Sequence, residues 1–158
     1  MNLFNSRIFR NVWHVKKGIN HRKMDKTPVE TIHHKGFTLA IIIRFSYEPP
    51  ETAFLTDGEC SQQVGFVVHP QGHEIERHVH APHPRVISDF TEVIFVKRGK
   101  MLTDIYDPEK NLVTTREIRT GDLLILFFGG HRFRMLEDTI LLEVKQGPEA
   151  QSVMKEFF

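Results

Sequence analysis

Beyond residue 30, the sequence consists of short runs of β-branched and apolar residues separated by turn-forming residues. No segment keeps the 3.6-residue apolar repeat of an amphipathic helix for three turns. Runs of this length between Gly, Pro and Asp residues predict an all-β fold of about nine short strands. The predicted strands are residues 37–45, 62–69, 74–80, 92–97, 100–106, 112–118, 123–128, 132–136 and 139–144.

Two short connections predict how neighbouring strands pair. Arg98-Gly99 separates residues 92–97 from residues 100–106, and a short connection with glycine is typical of a tight hairpin. Asp107 to Lys110 carries proline where a type I turn prefers it, which predicts a second turn. Many strands with short connections indicate two sheets that close on each other.

Length and composition exclude several classes of protein. A chain of 158 residues, 40% of them hydrophobic and 26% charged, predicts one compact globular domain. The longest apolar run, Leu123 to Phe128, is far shorter than the roughly 20 residues of a membrane helix, so we expect no membrane partner. A single cysteine, Cys60, and the lack of a secretory signal predict a cytoplasmic location. Cys60 has no paired histidine pattern, so no catalytic thiol is predicted.

The first 29 residues are predicted to form a basic extension, and residues 30–158 the folded domain. Residues 1–26 contain seven Lys or Arg residues and one acidic residue, Asp25. A basic arm can contact nucleic acid or lipid, but the loose apolar pattern of this one favours an extension that is frayed or loosely docked. A further interpretation is that translation starts at Met24, just before the predicted domain. Because the net charge of the whole chain is only +1, we expect no nucleic-acid partner.

Histidines are concentrated in one part of the sequence. The chain has ten, and five of them fall within fifteen positions: His69, His73, His78, His80 and His83. His78 and His80 are two residues apart, so on a strand their side chains point to the same face, about 7 Å apart. Such a pair can bind one metal ion, although an isolated His-x-His pair is more often a surface or hydrogen-bonded pair.

A longer pattern surrounds this pair. Five residues separate Gly72 from His78, and six separate Glu92 from Gly99. His131 follows in the string GDLLILFFGGHRF. In these residues the chain resembles the cupin superfamily, whose first motif is G-x5-H-x-H-x3-4-E-x6-G and whose second is approximately G-x5-P-x-G-x2-H. The resemblance covers residues 62–148, more than half of the chain.

The resemblance implies a cupin jelly-roll β-barrel with a metal ion in its mouth. Its ligands would be His78, His80, Glu92 and His131, and the cofactor one divalent transition metal ion, either Fe, Mn, Ni or Zn. The alternation of residues along a strand supports this independently. It places Glu92 on the same face as Ile94 and Val96, and a carboxylate that points inward needs a partner.

Three departures from the cupin pattern bear on the predicted site. Eleven residues separate His80 from Glu92, where the motif has three or four, so residues 81–91 form an insertion that carries Arg85. Arg85 is either solvated or a clamp for a carboxylate or phosphate. Phe127 replaces the usual proline of the second motif, and His131 comes one position early. The alternative to a metal site is a polar network of the same side chains without metal.

The strings GGHRFRMLED and EVKQGP also resemble a group of small uncharacterised bacterial cupins, often encoded among genes for surface-sugar assembly. This resemblance implies a small carbonyl or sugar-like substrate and an isomerase or epimerase, with Glu74 or Glu76 as a base near the metal. Two alternatives remain, a non-catalytic sugar-binding module and a metal-dependent dioxygenase. His73 and His83 are predicted to be loop residues, and the protein is expected to be a homodimer.

Overall fold

The computed structural model describes residues 28–84, 86–87, 89–147 and 155–158. Most of the predicted basic extension, including Met24, and Arg85 of the insertion lie outside these residues. The described residues form antiparallel strands and no helix, which confirms the prediction of an all-β fold. Accordingly, none of them belongs to a helix that could cross a membrane.

The described residues contain ten strands. The strands are β1 (Val29–His34), β2 (Phe37–Ile43), β3 (Ala53–Phe54), β4 (Gly65–Phe66), β5 (Glu92–Arg98), β6 (Lys100–Tyr106), β7 (Leu112–Arg119), β8 (Leu123–Leu126), β9 (Gly130–Met135) and β10 (Ile140–Lys145). They fall into two compact units. Within the described residues, the first unit comprises 48–84 and 86–87, and the second comprises 28–47, 89–147 and 155–158.

The second unit is built from two antiparallel sheets. One has five strands in the order β1-β2-β8-β5-β10, and the other has three in the order β7-β6-β9. Buried side chains from both sheets form one core: Ile32, Leu39, Ala40, Ile42, Ile94, Val96, Met101, Ile105, Ile118, Leu124 and Leu126. A core shared by two sheets is consistent with a β-sandwich.

The chain passes from the five-stranded sheet to the three-stranded sheet at Gly99. β5 pairs with β8 and β10, whereas β6 pairs with β7 and β9, so the predicted hairpin between β5 and β6 is wrong. Gly99 has a φ of +98°. Its N–H donates a hydrogen bond to Thr120 Oγ1, and its carbonyl oxygen accepts one from the Thr120 N–H. A glycine between two strand patterns is compatible with a hairpin or a corner, and here tertiary packing selects the corner.

The second predicted turn, Asp107 to Lys110, is confirmed and joins the paired strands β6 and β7. The Asp107 carboxylate is buried and accepts hydrogen bonds from the backbone and the side chain of Asn111. It also contacts Lys35, in the turn between β1 and β2, at 3.3 Å. Asp107 therefore links a turn of one sheet to a turn of the other.

The first unit contains little regular structure. Its two strands, β3 and β4, pair over two residues each, so the predicted strand 62–69 is reduced to Gly65–Phe66. Residues 74–80, predicted to be a strand, form none and are exposed along their whole length. An alternating pattern becomes a strand only where another strand can accept its hydrogen bonds, and residues 74–80 pair with no described strand.

Substitution of Gly99 tests the corner. A Cβ atom at this position would lie 2.5 Å from Thr139 Oγ1 and 2.6 Å from the Asp138 carbonyl oxygen. Because the positive φ also disfavours a side chain, we expect Gly99→Ala to lower the free energy of unfolding by about 2 kcal/mol in urea denaturation. Gly58→Ala is the control, since a Cβ there meets nothing within 4 Å. Equal stability of the two variants would contradict this account of the corner.

Asp107 predicts a dependence of stability on pH. Burial raises the pKa of its carboxyl group, but the hydrogen bonds from Asn111 and the Lys35 ammonium group outweigh burial and lower the pKa to about 2. The ionised form therefore stabilises the fold above pH ~4, and this contribution is lost as the pH falls from about 4 to about 2.

The measurement compares the melting temperatures of the wild type and Asp107→Asn between pH 6 and pH 2. The advantage of the wild type should shrink between pH ~4 and pH ~2, because the variant lacks this titration. An advantage that stays constant over this range would show that Asp107 does not contribute through its charge.

Candidate functional site

Glu92 and His131 meet in the interior between the two sheets of the second unit. Glu92 begins β5 in the five-stranded sheet, and His131 is the second residue of β9 in the three-stranded sheet. Glu92 Oε2 lies 3.3 Å from His131 Nε2. The Glu92 side chain is 10% exposed and the His131 side chain 33%, so the pair lies at a partly open edge of the core.

Strand alternation explains why both side chains point inward. Glu92 shares its face of β5 with buried Ile94 and Val96, as predicted. On the facing sheet, His131 lies opposite the buried Ile105 of β6. Phe133, two residues along β9, stacks on the imidazole with ring centroids 4.9 Å apart. The pair therefore lies beside apolar side chains, and a polar group in such surroundings needs a hydrogen-bonding or charged partner.

The surroundings of His131 lower the pKa of its imidazole and so favour the neutral form. Burial is the main cause that lowers its pKa from 6.5, and the charge of Glu92 opposes this effect in part. Lys155 lowers the pKa further, whereas Glu143 raises it. A neutral imidazole can donate one hydrogen bond to the Glu92 carboxylate, or it can offer a nitrogen lone pair to a metal ion.

The separation of the two side chains also fits the spacing of two ligand atoms on one metal ion. Nitrogen and oxygen ligands bind Zn²⁺ at about 2.0–2.2 Å, which in a tetrahedral site places two ligand atoms about 3.3–3.5 Å apart. The observed distance is 3.3 Å. Imidazole and carboxylate are also suitable ligands for Fe, Mn and Ni. Glu92 and His131 therefore suit a divalent transition metal ion in chemistry and in spacing.

The other two predicted ligands, His78 and His80, lie in the first unit. Their rings are 5.1 Å apart and nearly perpendicular, and both residues are exposed. His78 Nδ1 lies 2.8 Å from the carbonyl oxygen of Glu76, so it can donate its proton there and leave Nε2 free. This arrangement of a histidine is typical of metal ligands, which usually donate their second ring N–H to a carbonyl or a carboxylate.

The structure thus brings together two pairs of predicted ligands, His78 with His80 and Glu92 with His131. The pairs belong to different units, and the convergence of all four residues on one ion stays a prediction. Within the described residues, no three His, Cys, Asp or Glu side chains form a group that could hold a metal ion.

Sequence reasoning missed two charged residues beside the Glu92–His131 pair. In the register of β5 with β10, Glu143 lies opposite Ile94, and Lys145 lies opposite Glu92. Residues directly opposite each other share a face of the sheet, so both charges are on the inner face. They form an ion pair of 3.0 Å, and both side chains are partly exposed. The alternation along residues 140–145 could have predicted that Glu143 and Lys145 share a face. It could not have predicted that β10 pairs with β5.

The remaining candidate residues lie in the first unit. Glu74 and Glu76, proposed as bases, are exposed, and so is the loop histidine His83. The loop histidine His73 stacks on His69 with ring centroids 4.0 Å apart. Cys60 is buried and forms no disulfide within the part of the chain that the structure describes, and its thiol stays outside the predicted chemistry.

Comparison with known proteins gives no match. A scan against family models, a search of curated proteins and a search of solved structures each find nothing similar to this chain.

Proposed function

We propose that this protein is a metal-binding cupin that isomerises or epimerises a small carbonyl or sugar-like substrate. The observation that carries the proposal is the inward-facing Glu92–His131 pair, 3.3 Å apart between two sheets, with Glu143 close enough for its charge to act on the imidazole. It combines two metal ligands with a separate proton acceptor. An isomerase needs such an acceptor besides the residues that hold the metal.

In this proposal, the metal ligands are His78, His80, Glu92 and His131. A metal ion held by these residues would supply Lewis-acid chemistry towards a carbonyl oxygen of the substrate. The chain itself orients the ligands. Glu76 holds the Nδ1–H of His78 through its carbonyl oxygen, and Phe133 stacks on His131. The two sheets of the second unit are, in the same proposal, the sheets of a cupin jelly roll.

Glu143 is the proposed base. Its carboxylate is partly exposed on the inner face of β10, where a substrate can reach it. It accepts the proton from the carbon next to the substrate carbonyl, and the electron pair of that C–H bond moves towards the carbonyl oxygen. Delivery of a proton from water to the opposite face of the same carbon gives an epimer, and Glu143 then releases its proton to water. Return of the proton from Glu143 to the former carbonyl carbon, with transfer of the hydroxyl proton of the neighbouring carbon to the former carbonyl oxygen, gives an isomer. Both outcomes conserve atoms and charge.

One observation favours the second candidate, a non-catalytic sugar-binding module. Lys145 holds the Glu143 carboxylate in a 3.0 Å ion pair, so this carboxylate already has a partner within the protein. The two functions differ in one property, since only the isomerase exchanges a carbon-bound hydrogen of a sugar for deuterium from D₂O. The predicted homodimer belongs to both candidates.

Metal content measured by mass spectrometry tests the proposed site. The full chain, purified without an affinity tag or chelators, should contain about one transition metal ion per protein molecule. The His78→Ala/His80→Ala variant should lose most of this metal, because two of four ligands are removed. The His131→Ala variant, with its substitution in the other unit, should lose it as well.

The matched control is His69→Ala/His73→Ala. This variant also removes two exposed histidines from the first unit, but neither is a predicted ligand. It should keep the metal. A folded wild type without metal would contradict the proposed site, and so would metal that the His131→Ala variant retains.

A further inference from the structure

One edge of the five-stranded sheet is apolar on its outer face. β10 is the last strand of this sheet, and among the described strands it pairs only with β5. Successive residues of a strand point to opposite faces, and Leu141 packs against the core. Ile140, Leu142 and Val144 therefore lie on the outer face, where each is between 42% and 57% exposed.

Phe95 of β5 enlarges this apolar surface. It is the partner of Leu142 in the register of β5 with β10, so the two side chains share the outer face. Phe95 is also exposed. We refer to Phe95, Ile140, Leu142 and Val144 as the β10 patch. An apolar patch beside the unpaired backbone groups of an edge strand is suited to pairing with another strand.

The other three edge strands of the two sheets are less suited to such pairing. β9 carries Arg132 and Arg134 on its outer face, because His131 points inward. β7 carries Glu117 and Arg119, which form an ion pair of 2.8 Å. The exposed residue of β1 is His33. Polar and charged side chains at an edge disfavour association with another chain, so β10 is the edge that favours it.

The β10 patch is complementary to an inverted copy of itself. In an antiparallel pair, residues directly opposite each other share a face of the sheet. If Leu142 of one copy lies opposite Leu142 of a second copy, Ile140 of each copy lies opposite Val144 of the other. All three pairs on the outer face are then apolar. On the inner face, Glu143 of each copy lies opposite Leu141 of the other, and no like charges meet.

Neighbouring registers are less favourable. A two-fold axis at Glu143 would place two carboxylates directly opposite each other, which is destabilising. An axis at Leu141 would place Val144 opposite Asp138, and an axis at Val144 would place Leu142 opposite Gln146. Both would set an exposed apolar side chain against a polar one. Charge and apolar complementarity thus select the axis at Leu142.

We propose that β10 pairs with β10 of a second copy around a two-fold axis at Leu142, and that the protein is a dimer through this interface. The five-stranded sheets of the two copies then continue into each other. The pairing satisfies backbone groups of the edge and removes the β10 patch of both copies from water. The proposal goes beyond the proposed function, because the patch contains none of the proposed metal ligands.

Analytical ultracentrifugation of the full chain tests the interface. The wild type should sediment as a dimer of about 37 kDa, twice the 18.5 kDa of one chain. Leu142→Lys should raise the dissociation constant of the dimer at least about tenfold, because two lysines would lie opposite each other. Leu112→Lys is the matched control, since Leu112 lies on the edge strand β7 and is 57% exposed, as Leu142 is. This variant should dimerise as the wild type does.

Cysteine substitution tests the register. Cβ atoms of directly opposite residues are about 4.5–5.5 Å apart, so Leu142→Cys should form a disulfide-linked dimer under mild oxidation. Val144→Cys should not, because Val144 of one copy is four residues, about 13 Å, along the strand from Val144 of the other. The wild type, in which Cys60 is buried, is the control and should stay unlinked.

Three results would overturn the proposal. The first is a wild type that stays monomeric, and the second is a Leu142→Lys variant that dimerises as tightly as the wild type and Leu112→Lys. The third is a disulfide that forms through Val144→Cys and not through Leu142→Cys. None of these substitutions removes a proposed metal ligand, so the metal content of the ligand variants tests the proposed function separately.

Discussion

The arrangement of the second unit depends on the corner at Gly99, where the chain leaves one sheet and enters the other. A hairpin at this point would place β5 and β6 side by side in one sheet. The corner instead places them in two sheets that share a core. Glu92 on β5 can then face His131, which β6 carries on its neighbour β9. The positive φ of Gly99 and the tight packing around it make this change of sheet possible.

Burial and the charge of Glu92 have opposite effects on the pKa of His131. Burial favours a neutral imidazole, and the nearly buried carboxylate needs a positive or hydrogen-bonding partner. An imidazole N–H can meet this need, and so could a divalent metal ion. Glu143 and Lys145 add two further charges on the same inner face of the sheet. The same few residues thus connect the packing of the two sheets to the proposed chemistry.

Much of the fold could be predicted from the sequence, because most strands carry their own apolar pattern. Residues 100–106 were predicted with the bounds that the structure gives, and the inward face of Glu92 followed from alternation alone. The pairing of the strands is harder to predict, because it depends on residues that are far apart in the sequence. The pattern at Arg98-Gly99 fits a hairpin and a corner equally, residues 74–80 alternate without a partner strand, and Glu143 joins the site only through the register of β10 with β5.

The central claim is that Glu92 and His131 bind one metal ion together with His78 and His80. X-ray absorption spectroscopy of the zinc-loaded full chain tests this claim most directly, because the scattering of imidazole rings allows them to be counted. We predict three imidazole nitrogens and a carboxylate oxygen at about 2.0–2.2 Å from the zinc. A zinc ion with one imidazole ligand or none, or with sulfur from Cys60 in its coordination shell, would contradict the account.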